Sequence, residues 1–161
     1  MPRRSSAGLL PFRSVGGATE VLIAHMGGPF WSRKDAGAWS VIKGEHDEGE
    51  DPVAAARREW AEETGTEPPA GELMPLGEVR QKSGKRVAAW AVEAPALDPS
   101  SFVSNTFEME WPPRSGRTQA FPEIDRAEWM GLDVAWARLV AGQRPLLDML
   151  ADALGITRAQ Q

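Results

Sequence analysis

At 161 residues, 42% hydrophobic and 25% charged, the chain is long enough for one compact domain with a buried core but short for two. Its net charge of −5 argues against a general nucleic-acid or membrane-surface binder, and the absence of cysteine excludes disulfides, thiolate metal sites and a cysteine nucleophile. The N-terminal residues hold only a short apolar run, which is typical of neither a signal peptide nor a membrane span. We therefore expect one cytoplasmic domain over residues 1–161, without nucleic-acid or membrane partners.

The first third of the chain alternates apolar runs with glycine-rich or polar segments. Apolar runs bounded by turn residues are typical of strands, and two runs separated by a glycine turn are typical of a hairpin. The predicted elements are strands at 8–15, 20–26 and 39–42, a turn at 16–19, and loops at 27–38 and 43–51.

A helix follows, and its ends are marked by capping residues. Asp51 is a good N-cap, and Pro52 at the first helical position loses no hydrogen bond. Gly65 ends the helix. Because successive side chains are about 100° apart, one apolar arc faces the core. Its members are Val53, Ala56, Trp60 and Thr64.

The rest of the chain predicts more strands and two closing helices. The elements are strands at 72–81, 86–94, 105–113 and 127–132, a turn at 83–85, a long loop at 114–125, and helical stretches at 133–140 and 145–155. Strands interrupted by one early helix and closed by C-terminal helices favour a mixed sheet with helices on its faces. The fold class expected is an α/β or α+β sandwich.

The region around the first helix is unusually acidic. Eight acidic and three basic residues lie between Lys43 and Glu63. Glu59 and Glu63 are i, i+4 neighbours that repel each other, and Glu62 adds to the repulsion. A divalent cation such as Mg²⁺ or Mn²⁺ would remove it, since such cations prefer carboxylate and carbonyl oxygens. The alternative is a solvated helix face whose glutamates bind nothing.

The spacing of this segment favours the metal-binding interpretation. It runs Gly44, five residues, Glu50, seven residues, then Arg58-Glu59-Trp60-Ala61-Glu62-Glu63-Thr64-Gly65-Thr66. Residues 44–66 resemble the Nudix box, G-x5-E-x7-R-E-U-x-E-E-x-G-U, in which U is bulky and apolar. Every charged and glycine position matches, and only Thr66 departs, at a position that is usually aliphatic. The resemblance implies a Nudix-type α/β/α sandwich with a mixed central sheet.

The resemblance also implies a metal site and a reaction. Nudix enzymes bind Mg²⁺ or Mn²⁺ and cleave a diphosphate linked to another group, with water attacking a phosphorus. Glu59, Glu62 and Glu63 match the carboxylate ligands, and the backbone carbonyl of Lys43 would add an oxygen. The candidates for the base that deprotonates the water are Glu63, Glu59 and Glu123, the last in a loop before a late tryptophan. Glu50 and Arg58 would hold the loop and helix in register.

Substrate recognition is predicted from basic residues, because a diphosphate is anionic. Candidate phosphate contacts are Lys43, Arg114, Arg117 and Arg86. Lys82 and Lys85 belong to the same basic turn as Arg86, but a solvated turn is the alternative for both. His25 and His46 show no partner pattern.

The expected substrate is a nucleotide-type small molecule. We expect a metal-dependent hydrolase of nucleoside diphosphate-linked compounds, with dinucleoside polyphosphates such as diadenosine tetraphosphate favoured. The alternatives are a nucleoside triphosphate or ADP-ribose pyrophosphohydrolase, and a non-catalytic Nudix module that senses a nucleotide.

Overall fold

The computed structural model describes residues 5–157, so the two ends of the predicted 1–161 domain lie outside the described residues. The described chain forms nine strands and three α-helices. The strands are β1 Ser5–Val15, β2 Ala18–Met26, β3 Trp39–Ser40, β4 Ile42–His46, β5 Leu73–Arg80, β6 Arg86–Glu93, β7 Thr106–Glu110, β8 Thr118–Pro122 and β9 Ile124–Gly131. The helices are α1 Pro52–Thr64, α2 Leu132–Arg138 and α3 Pro145–Leu154.

Strand β1 organises a seven-stranded mixed sheet. It pairs with β6 in parallel along its length and with two antiparallel strands on its other edge. The first half, Ser5–Leu9, pairs with β4, whereas the second half, Phe12–Val15, pairs with β2. Strand β9 then adds to the far edge of β2. The sheet therefore divides where β1 changes partner, between β4 on one side and β2 with β9 on the other.

Each face of the sheet carries its own apolar core. Residues of α1 pack with Ala7, Leu9 and Leu22 on one face. Leu10 and Ile23 face the opposite side and pack with α2 and α3. The alternation of side chains along β1 and β2 produces this division. Two helical layers on a mixed sheet confirm the predicted α/β/α sandwich.

Helix α1 begins and ends where its caps predict. The Asp51 carboxylate accepts a hydrogen bond from the Ala54 backbone N–H at 3.1 Å, and Gly65 adopts the left-handed conformation with φ 69°. Trp60 is fully buried and contacts the ring of Phe102 edge to face, whereas Val53 is only half-buried. Ala56, Trp60 and Thr64 of the predicted core arc are therefore buried, whereas Ala55 rather than Val53 completes the buried face.

Several element boundaries differ from the sequence predictions, among them the split of the predicted strand 39–42 into β3 and β4 and the start of β9 at Ile124 rather than 127. Residues 43–46, predicted as loop, continue strand β4, because they pair with Ser5–Gly8 and draw the start of β1 back to Ser5. The predicted loop at 114–125 contains β8, which pairs with β7 to form a separate two-stranded sheet. The first pairing joins segments that are distant in the chain, and the second forms an exposed hairpin. Neither produces a strong local pattern in the sequence.

No helix within residues 5–157 is long and apolar enough to cross a membrane.

Candidate active site

Helix α1 presents two glutamates at the edge of its buried face. Glu59 and Glu63 are each only 8% exposed, whereas Glu62 points to solvent. The i, i+4 spacing places the first two on one side of the helix, next to the apolar arc centred on Trp60. The structure thus brings together the two carboxylates that the spacing predicts.

Gly44 is required because the Glu59 carboxylate lies directly against it. A β-carbon at Gly44 would overlap the carboxylate carbon and oxygen of Glu59. Gly44 is not among the glycines with positive φ, so the requirement is one of space rather than of backbone conformation. Strand β4 and helix α1 therefore approach each other through this glycine.

Arg58 connects the loop before α1 to the glutamates of the helix. Its guanidinium donates two hydrogen bonds to Glu50, both at 3.1 Å, and further bonds to Glu59 at 2.9 Å and Glu62 at 3.3 Å. The bond to Glu50 is the main reason that the pKa of Arg58 is raised and that of Glu50 is lowered. These contacts agree with the predicted pairing of Glu50 and Arg58 between loop and helix.

Glu123 lies close enough to Glu63 for their charges to interact. The pKa of Glu63 is raised to about 8, mainly by burial and in part by the negative charges of Glu123, Glu59 and Glu62. Burial also raises the pKa of Glu123. The backbone of Glu123 is fixed on both sides, since its N–H bonds the Asn105 carbonyl at 2.9 Å and its carbonyl accepts from Gly27 at 3.0 Å. The carboxylate predicted from a distant loop thus joins the α1 cluster.

Lys43 brings a positive charge to these carboxylates. Its pKa is lowered to about 8, mainly by burial and in part by the neighbouring charge of Lys85. The charges of Glu45, Glu63 and Glu59 oppose this shift. Lys43 in turn lowers the pKa of Glu63 and of Glu123. Acidic and basic groups of opposite charge therefore face one another at the division of the sheet.

The donor set of this cluster suits a hard divalent cation. Buried carboxylates at 59 and 63 repel each other, and oxygen donors are what Mg²⁺ and Mn²⁺ prefer. Within residues 5–157, no three His, Cys, Asp or Glu side chains already converge at metal-binding distance. Arg58 instead donates hydrogen bonds to the carboxylates of Glu59 and Glu62. The chemistry of the residues fits a cation.

Three predicted substrate contacts lie outside this cluster. Arg114 and Arg117 are exposed at the tip of the β7–β8 hairpin. At about 3.3 Å per residue, the strands put this tip roughly 15 Å from the base of the hairpin, which lies beside Glu123. Arg86 pairs with Glu78 of the neighbouring strand at 3.6 Å. The structure places Lys43 in the cluster but not these arginines, whose roles stay predictions.

No pattern in the sequence indicates a buried histidine next to the cluster. His25 is completely buried, its Nδ1 lies 2.9 Å from Oδ1 of Asp125, and its Nε2 lies 2.6 Å from the Lys34 carbonyl. Asp125 is two residues beyond Glu123. The contacts of His25 therefore attach the 27–38 loop to the start of β9. A histidine within an apolar strand and an aspartate 100 residues away share no local pattern.

A second unexpected contact joins the basic turn to the box. The Nζ atom of Lys85 lies 3.1 Å from a carboxylate oxygen of Glu45. The sequence pattern gives Glu45 no role and leaves Lys85 as either a phosphate contact or a solvated turn residue. The turn between β5 and β6 therefore places the Lys85 ammonium group at the edge of the cluster.

The chain is similar to one known protein family. A family model described as the NUDIX domain matches residues 2–150. No curated protein matches the chain significantly.

Solved structures share the fold at low identity. An Ap4A hydrolase binary complex from C. elegans is 22% identical, covers 93% of this chain and 98% of its own, and has a TM-score of 0.64. RenU, a Nudix hydrolase from M. smegmatis, is 27% identical over 95% of this chain and 86% of its own, with a TM-score of 0.56. The NUDIX domain of Shewanella oneidensis NrtR complexed with ADP ribose is 15% identical over 96% and 90%, with a TM-score of 0.61.

Proposed function

The chain belongs to the Nudix family and is a pyrophosphohydrolase, and we propose that it hydrolyses nucleoside diphosphate-linked compounds with the help of Mg²⁺ or Mn²⁺. The favoured substrates are dinucleoside polyphosphates such as diadenosine tetraphosphate. The fold likeness to the C. elegans Ap4A hydrolase, which extends over nearly the full length of both chains, supports this choice. A cytoplasmic location is part of the same proposal.

One observation carries the proposal: four glutamates and the half-buried Lys43 interact at the division of the sheet. Burial raises the pKa of Glu59, Glu63 and Glu123, the charge of Glu62 adds to the rise at Glu59 and Glu63, and the charge of Lys43 lowers the pKa of Glu63 and Glu123. Perturbed carboxylates that converge with a cation are typical of a catalytic site. A solvated helix face would leave these carboxylates exposed and unperturbed.

The same residues would hold the cation. Glu59, Glu62 and Glu63 supply carboxylate oxygens, and the Lys43 carbonyl is a further candidate ligand. When bound, the cation would neutralise diphosphate oxygens and make water more acidic. Arg58 then remains paired with Glu50, which keeps the loop and α1 in register. Supporting contacts of this kind orient metal ligands.

Glu123 is the base that fits the reaction best. Water attacks one phosphorus, a new P–O bond forms, and the bond from that phosphorus to the bridging oxygen breaks. Glu123 accepts the proton of the water, because its raised pKa favours proton transfer and it is not needed as a ligand. Lys43 stabilises negative charge on the departing phosphate. Glu63 and Glu59 are alternative bases, although metal ligation competes with their basicity.

A panel of nucleotides with Mg²⁺ or Mn²⁺ and product identification tests this function. We expect Glu63→Gln to lower kcat by roughly 10²–10⁴-fold, the range of a lost acid–base or charge-stabilising group, while the fold persists. Glu48→Gln is the matched control, since it removes one exposed carboxylate from the loop before α1 and its activity should be unchanged.

The panel also separates the alternatives. Preference for ADP-ribose or a nucleoside triphosphate over dinucleoside polyphosphates would reassign the substrate, and the ADP-ribose complex of the NrtR domain makes ADP-ribose the second candidate. Nucleotide binding without turnover of any compound would leave a sensing module as the function and contradict the proposal.

A further inference from the structure

The end of β2 passes directly against the segment that carries Glu123. The backbone N–H of Gly27 donates a hydrogen bond to the Glu123 carbonyl at 3.0 Å. A β-carbon at Gly27 would overlap the carbonyl oxygen of Pro122, so a residue with a side chain does not fit there. The position of the Glu123 backbone is therefore set in part by the end of β2.

Strand β9 contains a β-bulge immediately after this point. Its register with β2 shifts just after His25, where Asp125 is the additional residue of β9. Ile124 and Ala127 both pack with the core on the α1 side, although residues three apart in a regular strand face opposite sides. Because the side-chain period of a strand is two, removal of the bulge would exchange the sides to which Ile124 and Glu123 point. The bulge therefore decides the side from which Glu123 approaches the cluster.

The additional residue of the bulge is held by the buried ring of His25. Nδ1 of His25 lies 2.9 Å from Oδ1 and 3.0 Å from Oδ2 of Asp125, and Nε2 lies 2.6 Å from the Lys34 carbonyl. Both contacts are with oxygen acceptors, and a ring protonated on both nitrogens donates to both. Arg126 also reaches Asp125, but at 3.4 Å and from a half-exposed side chain. Because the His25 ring is completely buried and bonded at both nitrogens, it fixes the Asp125 carboxylate in place.

Hydrogen bonds also connect the Glu123 segment to α1. The N–H of Glu123 donates to the Asn105 carbonyl at 2.9 Å, and the N–H of Asn105 donates to the Glu62 carbonyl at 3.2 Å. A single residue thus joins the backbone of Glu123 to the last turn of α1, which carries Glu63. The distance between the Glu123 backbone and α1 is fixed by Asn105, whereas the direction of the Glu123 side chain depends on the bulge.

We infer that His25 and Asp125 are positioning residues for Glu123. His25 holds Asp125 in the bulge, and the bulge directs the Glu123 carboxylate toward the glutamates of α1. The inference rests on the proposed function, since it requires Glu123 to be the base that deprotonates the attacking water. The pair acts through the backbone of β9 and does not need to touch the substrate. The alternative is that the pair only attaches the 27–38 loop to the sheet.

Steady-state hydrolysis by the full chain tests this inference, with diadenosine tetraphosphate as the substrate, or ADP-ribose if the nucleotide panel favours it. We expect Asp125→Ala to lower kcat about 10²-fold and to leave KM within about twofold, because a misplaced base costs rate rather than binding. Asp125→Asn should keep kcat within about tenfold of the unsubstituted chain, since its amide oxygen still accepts a hydrogen bond from Nδ1 of His25. Circular dichroism checks that each variant is folded.

A second variant breaks the pair from its other side. In His25→Gln, the amide nitrogen can still donate to the Lys34 carbonyl, whereas the donor to Asp125 is lost. The 27–38 loop then keeps its attachment while the bulge is released. We expect the same loss of kcat, about 10²-fold, if the bulge rather than the loop is what matters.

A double-mutant cycle distinguishes positioning from general loosening of the fold. If Asp125 acts through Glu123, Asp125→Ala should lower kcat by less than about threefold once Glu123→Gln is present. Glu20→Ala is the matched control, because it breaks the 2.7 Å ion pair with Arg13 at the other end of the β2–β9 pairing. The side chains of Glu20 and Asp125 are 26% and 29% exposed. Glu20→Ala should leave kcat within about twofold.

The outcomes separate this inference from the proposed function. An unchanged kcat in Asp125→Ala or His25→Gln, a change in KM alone, or an equal loss in Glu20→Ala would overturn the inference while hydrolysis stands. Losses that multiply independently in the cycle, or an unchanged kcat in Glu123→Gln, would overturn it as well. If Asp125→Ala does not fold, the cycle of His25→Gln with Glu123→Gln decides in the same way. Absence of hydrolysis by the unsubstituted chain would reject both the inference and the proposed function.

Discussion

At the residue scale, single side chains and their immediate neighbours decide the chemistry of the site. Gly44 allows the Glu59 carboxylate to lie against the backbone of β4, and Arg58 bonds three glutamates at once. Burial is the largest cause of the raised pKa of Glu63 and of Glu123. A small change in the position of one carboxylate should therefore alter the whole cluster.

Gly44→Ala tests this dependence. The new methyl group would displace the Glu59 carboxylate, and a misplacement of about 1 Å in a catalytic constellation can reduce the rate by about 10²-fold. We expect a loss of kcat of this order with a folded protein, measured by steady-state hydrolysis and circular dichroism. Gly49→Ala is the control, because a β-carbon there meets nothing within 4 Å. Equal activity in the two variants would contradict the prediction.

At the element scale, α1 is the support on which the glutamates are held. Its apolar face is anchored by Trp60, which is fully buried against Phe102 and the α1 side of the sheet. Its C-terminal end is tied down by backbone bonds from Val103 to the Thr64 carbonyl at 2.7 Å and from Asn105 to the Glu62 carbonyl at 3.2 Å. The segment that leads to the β7–β8 hairpin and Glu123 is thus attached to the helix that carries the other glutamates.

Trp60→Ala should weaken this support. Removal of a buried tryptophan is expected to lower the free energy of unfolding by about 3–5 kcal/mol, because it leaves a cavity and loses apolar burial. Urea denaturation measures this loss. The control is Arg57→Ala on the exposed side of the helix, where the change should stay within about 0.5 kcal/mol. A loss below about 1 kcal/mol for Trp60→Ala would mean that α1 is held by other contacts.

At the scale of the whole molecule, the site lies where the sheet divides. Strand β4 carries Lys43 and Gly44 to one side of the division, and the β8–β9 junction carries Glu123 to the other. Helix α1 lies across one face and contributes Glu59 and Glu63. Carboxylates from separate elements therefore repel one another in the folded state, and a cation bound between them should stabilise the fold as a whole.

Addition of Mn²⁺ tests this consequence. At about 100 times its Kd, a ligand of the folded state adds about 2.7 kcal/mol, which should raise Tm by roughly 5–10 °C for a chain of this size. Scanning calorimetry would measure the shift, with NaCl of equal ionic strength as the reference and EDTA to reverse it. Glu59→Gln should reduce the shift and Glu48→Gln should not. No shift in the unsubstituted chain would favour a structural acidic helix.

Much of the fold was predictable because its signals are local. The caps at Asp51 and Gly65, the apolar arc of α1 and the alternation of most strands each depend on neighbouring residues. The extension of β4, the start of β1 at Ser5 and the existence of β8 were missed, since they depend on pairing partners rather than on composition.

The sequence by itself determined the family, the sandwich and the glutamates of α1, because helical periodicity and fixed spacing place Glu59 and Glu63 together. Only the tertiary structure decided which distant residues meet them. Glu123 approaches Glu63, His25 bonds Asp125, and Lys85 reaches Glu45 because strands and turns far apart in the chain converge. Burial at that convergence shifts the pKa values, and burial is a property of packing that no short segment encodes.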